Sequence, residues 1–266
     1  MNVKSLKFCA LLVGILLIQA CATSPTGRSQ IILYPDSELA EMGQQAFAGM
    51  KQEIKISNKR VSNAMVQCIA NELLKYVDDS VFAGEWEVVV FEDDQVNAFA
   101  LPGGKIGVYT GLLNVATNQH QVAAVVGHEI GHVIAKHGNE RMSNTAMIGM
   151  GQQAVGQVLA ANEVASTPLI MQGLGLGAQV GIALPFSRTH ESEADEIGLN
   201  LMAKAGFEPT QAVQLWKNME QLSGGNTQPE FLSTHPAPST RIDDLNKNMA
   251  AANKLFNAAP SKANCE

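Results

Sequence analysis

The hydrophobic and polar positions of the chain change period several times, and each change marks an element. From Asp36 to about Ile56, and from Asn58 to about Val77, apolar side chains return every three or four positions; Val61, Met65, Cys68, Ile69 and Leu73 form one such stripe. That period predicts two amphipathic helices. Glu85–Phe91 (EWEVVVF) is short, β-branched and aromatic, and predicts a strand. Val96–Leu101 and Ile106–Tyr109 flank Pro102-Gly103-Gly104 and predict a hairpin. A further helix is predicted from Asn118, with Gln121 three positions on as a partial capping box. It runs through Val122, Val125, Val126, Ile130, Val133 and Ile134, and Gly138 is a natural stop. Being apolar nearly all round, it is expected to be a buried central helix.

Met142 to Ser187 breaks the pattern. It holds one charged residue, Glu163, among many Gly, Ala, Gln and Met. Gly177 and Gly181 have the spacing at which membrane helices pack, but Gln152, Gln153, Gln157, Gln172, Gln179 and Pro168 favour a soluble helical hairpin packed over the domain. Three more helical stretches follow near 188–205, 209–222 and 239–255. The fold class is α+β: one mostly helical domain with a small β-sheet and a buried central helix.

The first residues follow a different logic. Lys4 and Lys7 precede Phe8–Ile18, an apolar run of 11 residues, shorter than the roughly 20 that span a bilayer. The run ends in Leu17-Ile18-Gln19-Ala20-Cys21, which resembles a bacterial lipobox. Residues 1–20 are therefore expected to be a lipoprotein signal peptide, 21–35 a tether and 36–266 one folded domain. Lipid on Cys21 would hold the chain in the cell envelope, and Ala22 after it resembles lipoproteins sorted to the periplasmic face of the outer membrane. Ordinary cleavage near Ala20 or Ala22 is the alternative. With Cys9 removed and Cys21 acylated, Cys68 and Cys265 remain; in an exported chain they can pair, and two free thiols are the alternative. The net charge of −7, without a basic stripe, argues against nucleic-acid partners.

His128-Glu129-Ile130-Gly131-His132 lies within the predicted buried helix. Residues four apart on a helix differ by about 40° in direction, so both imidazoles stand on one face and can share one zinc ion. Glu129 occupies the adjoining flank, within reach of the metal's open side. Burying these groups with no ion between them would be costly; two satisfied core histidines are the alternative. Catalytic zinc takes three protein ligands and keeps a fourth position open. The third ligand is expected in Ser187–Asp195 (SRTHESEAD), where Glu191 and Asp195 share a helix face and Glu193 lies about 200° away. One carboxylate on the metal and one behind it, orienting a ligand histidine, selects Glu191 as ligand and Asp195 as support. Glu193 is then expected to be a surface or helix-stabilising residue. His120 is expected in solvent, His137 as a cap on the helix dipole, and His190 is assigned no role.

HEIGH, SRTHESEAD with Gly198, and the late His235-Pro-Ala-Pro-Ser-Thr-Arg241 resemble the gluzincin zinc metallopeptidases, the family of HtpX, the CAAX prenyl proteases and the mitochondrial Oma-type proteases. The similarity runs from about Ser37 to Ala250 and includes Asn97–Gly104 (NAFALPGG). Within the family the chain looks most like the periplasmic BepA-like and LoiP-like lipoprotein members. Membrane spans like those of HtpX are not expected, nor the tetratricopeptide domain of BepA. The resemblance implies a zincin fold, one Zn2+ per chain, and an endopeptidase in which Glu129 is general base toward the metal's water and then general acid. It agrees with the helix-face argument on Glu191. It implies unfolded or misassembled envelope proteins as substrates and the envelope assembly machinery as a partner. It also places His235 and Arg241 near the metal, as donors to the oxyanion or with His235 latched onto the open position; a loop histidine with a surface arginine is the alternative. Asn97, Ala98 and Phe99 would offer an edge strand to an extended substrate, or be ordinary sheet. A reading of another class is a lipid-anchored chaperone or outer-membrane assembly factor with an inactive or structural zinc site, in which Glu129 has no task.

Overall fold

The computed structural model describes residues 21–178, 184–223, 230–235 and 239–266. The signal segment 1–20, Gln179 and Gly181, and residues 236–238 of the late loop lie outside the described residues. In chain order the elements are β1 (Cys21–Thr23), β2 (Ser29–Ile31), α1 (Asp36–Glu53), α2 (Arg60–Leu74), β3 (Glu87–Phe91), β4 (Ala98–Leu101), β5 (Lys105–Tyr109), α3 (Thr110–Leu113), α4 (Gln119–Ile134), α5 (His137–Ala161), α6 (Thr167–Ala178), α7 (Leu184–Lys204), α8 (Thr210–Ser223), α9 (Glu230–Thr234) and α10 (Ser239–Ala258). They fall into two compact units, one of residues 36–135 and 188–266, the other of residues up to 35 with 136–187.

In the larger unit the strands order β3-β5-β4, β3 running parallel to β5 and β4 antiparallel. Gly103 and Gly104, at φ 84° and 70°, make the turn between β4 and β5 in a conformation that side-chain-bearing residues resist. Alternation along β5 gives the sheet two apolar faces. Ile106 and Val108 join Val66, Ile69 and Leu73 of α2 and Val122, Val126 and Ile130 of α4 in the main core. On the other face Tyr109 and Phe91 gather with Phe47 of α1 and Phe99 of β4 in an aromatic cluster. Burying each large side chain contributes about 1.5–3 kcal/mol, so α4 is fixed by its own apolar surface.

The ends of α4 are set by specific contacts. Asn118 Oδ1 accepts from the Gln121 N–H at 3.0 Å, and Gln121 Oε1 accepts from the Thr117 N–H at 2.9 Å. The Glu266 carboxylate accepts from the N–H of Gln119 at 2.7 Å. Its neighbour Cys265 is disulfide-bonded to Cys68 of α2, Cα to Cα 5.6 Å, and donates its N–H to Gln119 Oε1 at 2.7 Å. The helix stops at Ile134, earlier than Gly138. Lys136, at φ 57°, takes the left-handed position expected of the glycine, and Gly138 becomes part of α5.

Small residues let α7 cross α4 backbone to backbone. A Cβ on Gly198 would stand 2.7 Å from the His128 nitrogen, and one on Gly131 2.8 Å from the Ala194 oxygen. No side chain fits there, and the close crossing turns Glu191 and Asp195 toward His128 and His132.

In the smaller unit the segment expected as a tether is folded. β1 and β2 pair antiparallel, Cys21 opposite Ile31. Arg28 donates to both Glu140 oxygens at 2.7 Å, the Leu33 N–H to Ser143 Oγ at 2.9 Å, and the Asn139 amide to the Tyr34 carbonyl at 2.7 Å. The ribbon is thereby fastened to the first turns of α5. α5 and α6 form the expected helical hairpin, with Glu163 at φ 54° in the turn. Among the described residues no helix is long and apolar enough to cross a membrane.

Candidate metal centre

α4 presents His128, Glu129 and His132; α7 presents Glu191 and Asp195; His235 follows α9, and Arg241 lies in the first turn of α10. α9 is tied to the strand entry by a hydrogen bond from the Phe231 N–H to the Val96 carbonyl. The His235 ring then stacks on Phe231, centroids 4.6 Å apart.

Donor atoms of His128, His132, Glu191 and His235 all lie within 4.8 Å of one another. Nε2 of His128 and His132 are 3.1 Å apart; Glu191 oxygens stand 3.3 and 3.5 Å from them. His235 Nδ1 is 3.4 Å from His128 Nε2 and 3.1 Å from both Glu191 oxygens. Four ligands at roughly 2.0–2.1 Å around a tetrahedral zinc must be separated by roughly 3.3–3.4 Å. The separations given above, 3.1–3.5 Å, are close to that spacing. Three carboxylates, Glu129, Glu191 and Asp195, are buried beside the guanidinium of Arg241.

Behind the donors, Asp195 Oδ1 is 3.0 Å from His128 Nδ1. With its proton on Nδ1, His128 donates to Asp195 and turns the Nε2 lone pair to the metal position. Arg241 grips Asp195 through Nε at 2.7 Å and Nη2 at 2.5 Å, reaches Glu191 through Nη1 at 2.9 Å, and lies over the Trp216 ring at 3.8 Å. Burial and the Arg241 charge work against an imidazolium at His128, yet its bonds to Asp195 and Glu191 prevail and raise it to about 9. Burial also works to raise Glu191, but the hydrogen bonds of His128 and His235 hold it well below the carboxylate range. Asp195 is likewise opposed by burial and held low by Arg241 and His128. Glu129 differs: burial pushes its carboxyl up. Its Oε1 is buried without a hydrogen-bond partner among the described residues, 3.5 Å from His235 Nε2.

Several expectations need correction. Glu193 is buried, not superficial, because α7 is enclosed on most sides; of residues 190–195 only Ser192 is exposed. His120 is half-buried, accepting from the Glu208 N–H at 3.3 Å and meeting Phe207 edge to face. His137 is the buried first residue of α5. Arg241 is 1% exposed, with Nε and Nη2 on Asp195 and Nη1 on Glu191, so the alternative of a surface arginine does not hold. Ala98 is in the core, Phe99 in the aromatic cluster, and Asn97 Oδ1 accepts from the Ala98 N–H. What they can offer a substrate is the backbone of β4, whose outer edge pairs with no strand among the described residues. Trp216 and Phe231, which support Arg241 and His235, carry no motif and were not singled out in the sequence.

Paired histidines on one buried helix, a glutamate donor from a second helix and an acid behind the first histidine define the metallopeptidase class of the zincins. The chain belongs to peptidase family M48, whose profile matches residues 58–249. Mitochondrial metalloendopeptidase OMA1 of Saccharomyces cerevisiae is 32% identical over 188 residues, 68% of this chain and 52% of that protein. Mitochondrial metalloendopeptidase OMA1 of Bos taurus is 30% identical over 244 residues, 86% of this chain and 46% of that protein. The beta-barrel assembly-enhancing protease of Yersinia pestis is 34% identical over 163 residues, 57% of this chain and 32% of that protein. The chain spans about half the length, or less, of these relatives.

Proposed function

We propose that the chain is a zinc-dependent endopeptidase of the cell envelope, held there by lipid on Cys21 and acting on unfolded or misassembled envelope proteins. The observation that carries the reading is a four-donor cluster beside a buried carboxylate that is not itself a donor. His128, His132 and Glu191 hold the metal. When bound, zinc supplies Lewis acidity toward water and the scissile carbonyl. Glu129 takes a proton from the attacking water and returns it to the leaving amine; its raised carboxyl suits a group that must both accept and release. Asp195 fixes the His128 tautomer, and Arg241 positions Asp195 and Glu191. An extended substrate pairs with the free edge of β4, whose Ala100 N–H reaches Glu129. The envelope substrate class draws on the name of the beta-barrel assembly-enhancing protease. One zinc per chain, and cleavage of a reduced, unfolded protein that stops on chelation and returns with zinc, is the expected result; cleavage indifferent to chelation would refute the assignment.

His235 gives a second reading its one specific support, since a closed set of four donors is also the form of a structural site. The retained Glu129 favours catalysis, with His235 as a latch that leaves when substrate arrives. His235→Ala is then expected to raise kcat/KM, by about tenfold if a tenth of the wild-type molecules are open. Loss of zinc with no gain in cleavage would instead make the site structural, and a fall in kcat with zinc retained would make His235 a transition-state donor.

A further inference from the structure

α5 and α6 form a surface that the metal centre does not use. From Met142 to Ala178, Glu163 is the only charged side chain. Apolar side chains nonetheless face outward: Met150 is 58% exposed, Val158 62% and Leu169 71%, with Val155, Ile170 and Leu174 exposed beside them. Scattered exposed apolar residues are ordinary. Six lie on two packed helices, with no lysine or arginine among them.

What covers it is suggested by its own unit. Cys21 begins the β1–β2 ribbon, and the ribbon is fastened to the base of α5 by the Arg28–Glu140 pair and by the bonds of Leu33 and Tyr34 to Ser143 and Asn139. Acyl chains on Cys21 would thus be joined to the hairpin through folded structure, not slack chain. We propose that the α5–α6 hairpin is a membrane foot, lying flat in the interface of the bilayer that takes the Cys21 lipid; this rests on the lipid-anchor reading. Met150, Val158 and Leu169 enter the acyl boundary. Glu163 keeps the turn at water level, in a left-handed position where glycine would be less strained. Lipid attachment and an apolar helical surface are two signals, and two are what stable anchoring takes. Because the surface lacks cationic residues, its binding does not depend on anionic headgroups or salt.

The test uses the chain from residue 21, coupled through Cys21 to a maleimide lipid in phosphatidylethanolamine–phosphatidylglycerol vesicles with brominated acyl chains. Val158→Trp and Leu169→Trp report on the foot, and Lys217→Trp, exposed on α8 outside the hairpin, is the control. Bromine is expected to quench the first two at least about twofold more than the control, at low and high salt alike. Equal quenching at all three positions overturns the proposal. So does a fluorescence shift at positions 158 and 169 with an unfolded polypeptide and none with lipid, which would assign the surface to protein. Acylation is read separately, from the mass of protein extracted from envelopes. Its absence refutes the anchor reading and leaves the quenching result standing; acylation without quenching refutes the foot alone.

Discussion

Glu129→Gln is expected to leave zinc bound and to cut hydrolysis of an unfolded protein by about 10²- to 10⁴-fold, the range general acid–base catalysis contributes. The substitution keeps the side chain's volume and its contact with the Ala100 N–H. It removes the carboxylate's charge and with it the ability to take and return a proton. Glu129 is not among the clustered donors, so the metal content of the variant should match the wild type. Turnover against zinc content, measured on one preparation, checks the claim. Undiminished turnover with zinc in place would sink the mechanism, and loss of zinc would show that Glu129 belongs to the ligand set.

Arg241→Ala is expected to have the largest effect on stability. The guanidinium is buried and bonded to two buried carboxylates, Asp195 and Glu191. Its removal strands both, and breaking a buried ion pair from one side costs about 3–5 kcal/mol. The Trp216 contact is lost as well. Arg241→Lys should recover little, because an ammonium cannot bridge two carboxylates as a planar fork does. Zinc supplies positive charge beside Glu191, so it should restore more stability to the variant than it adds to the wild type. Denaturant unfolding with zinc and with chelator measures both quantities. A variant as stable as the wild type in chelator would remove Arg241 from this role.

The parts of the site that could be read in advance are those set by local periodicity. His128 and His132, and Glu191 and Asp195, are each four apart, so helix geometry alone puts each pair on one face. The β4–β5 hairpin is announced by its Pro-Gly-Gly turn in the same way. What could not be read depends on which elements come together. Glu193 looked superficial because a helix wheel shows where a side chain points, not which neighbours enclose that flank. The partners of Arg241 could not be named because they lie 46 and 50 residues away. The left-handed break went to Lys136 and not to Gly138, a choice made by the packing of the chain after the turn. The small, polar composition of residues 22–30 suggested slack, whereas pairing with β2 and bonds to α5 order it.

The contact between Glu266 and the first N–H of α4 bears on the order in which the molecule is made. A helix begun 147 residues earlier has one of its leading donors satisfied only by residue 266, and the disulfide that secures this contact closes through Cys265. Arg241, which neutralises the acids behind the metal, also comes late. During synthesis the HEIGH segment therefore emerges well before the groups that complete its surroundings. The face of α4 that carries His128 and His132 is thus completed only after Arg241 and the disulfide-bonded Cys265 have joined it.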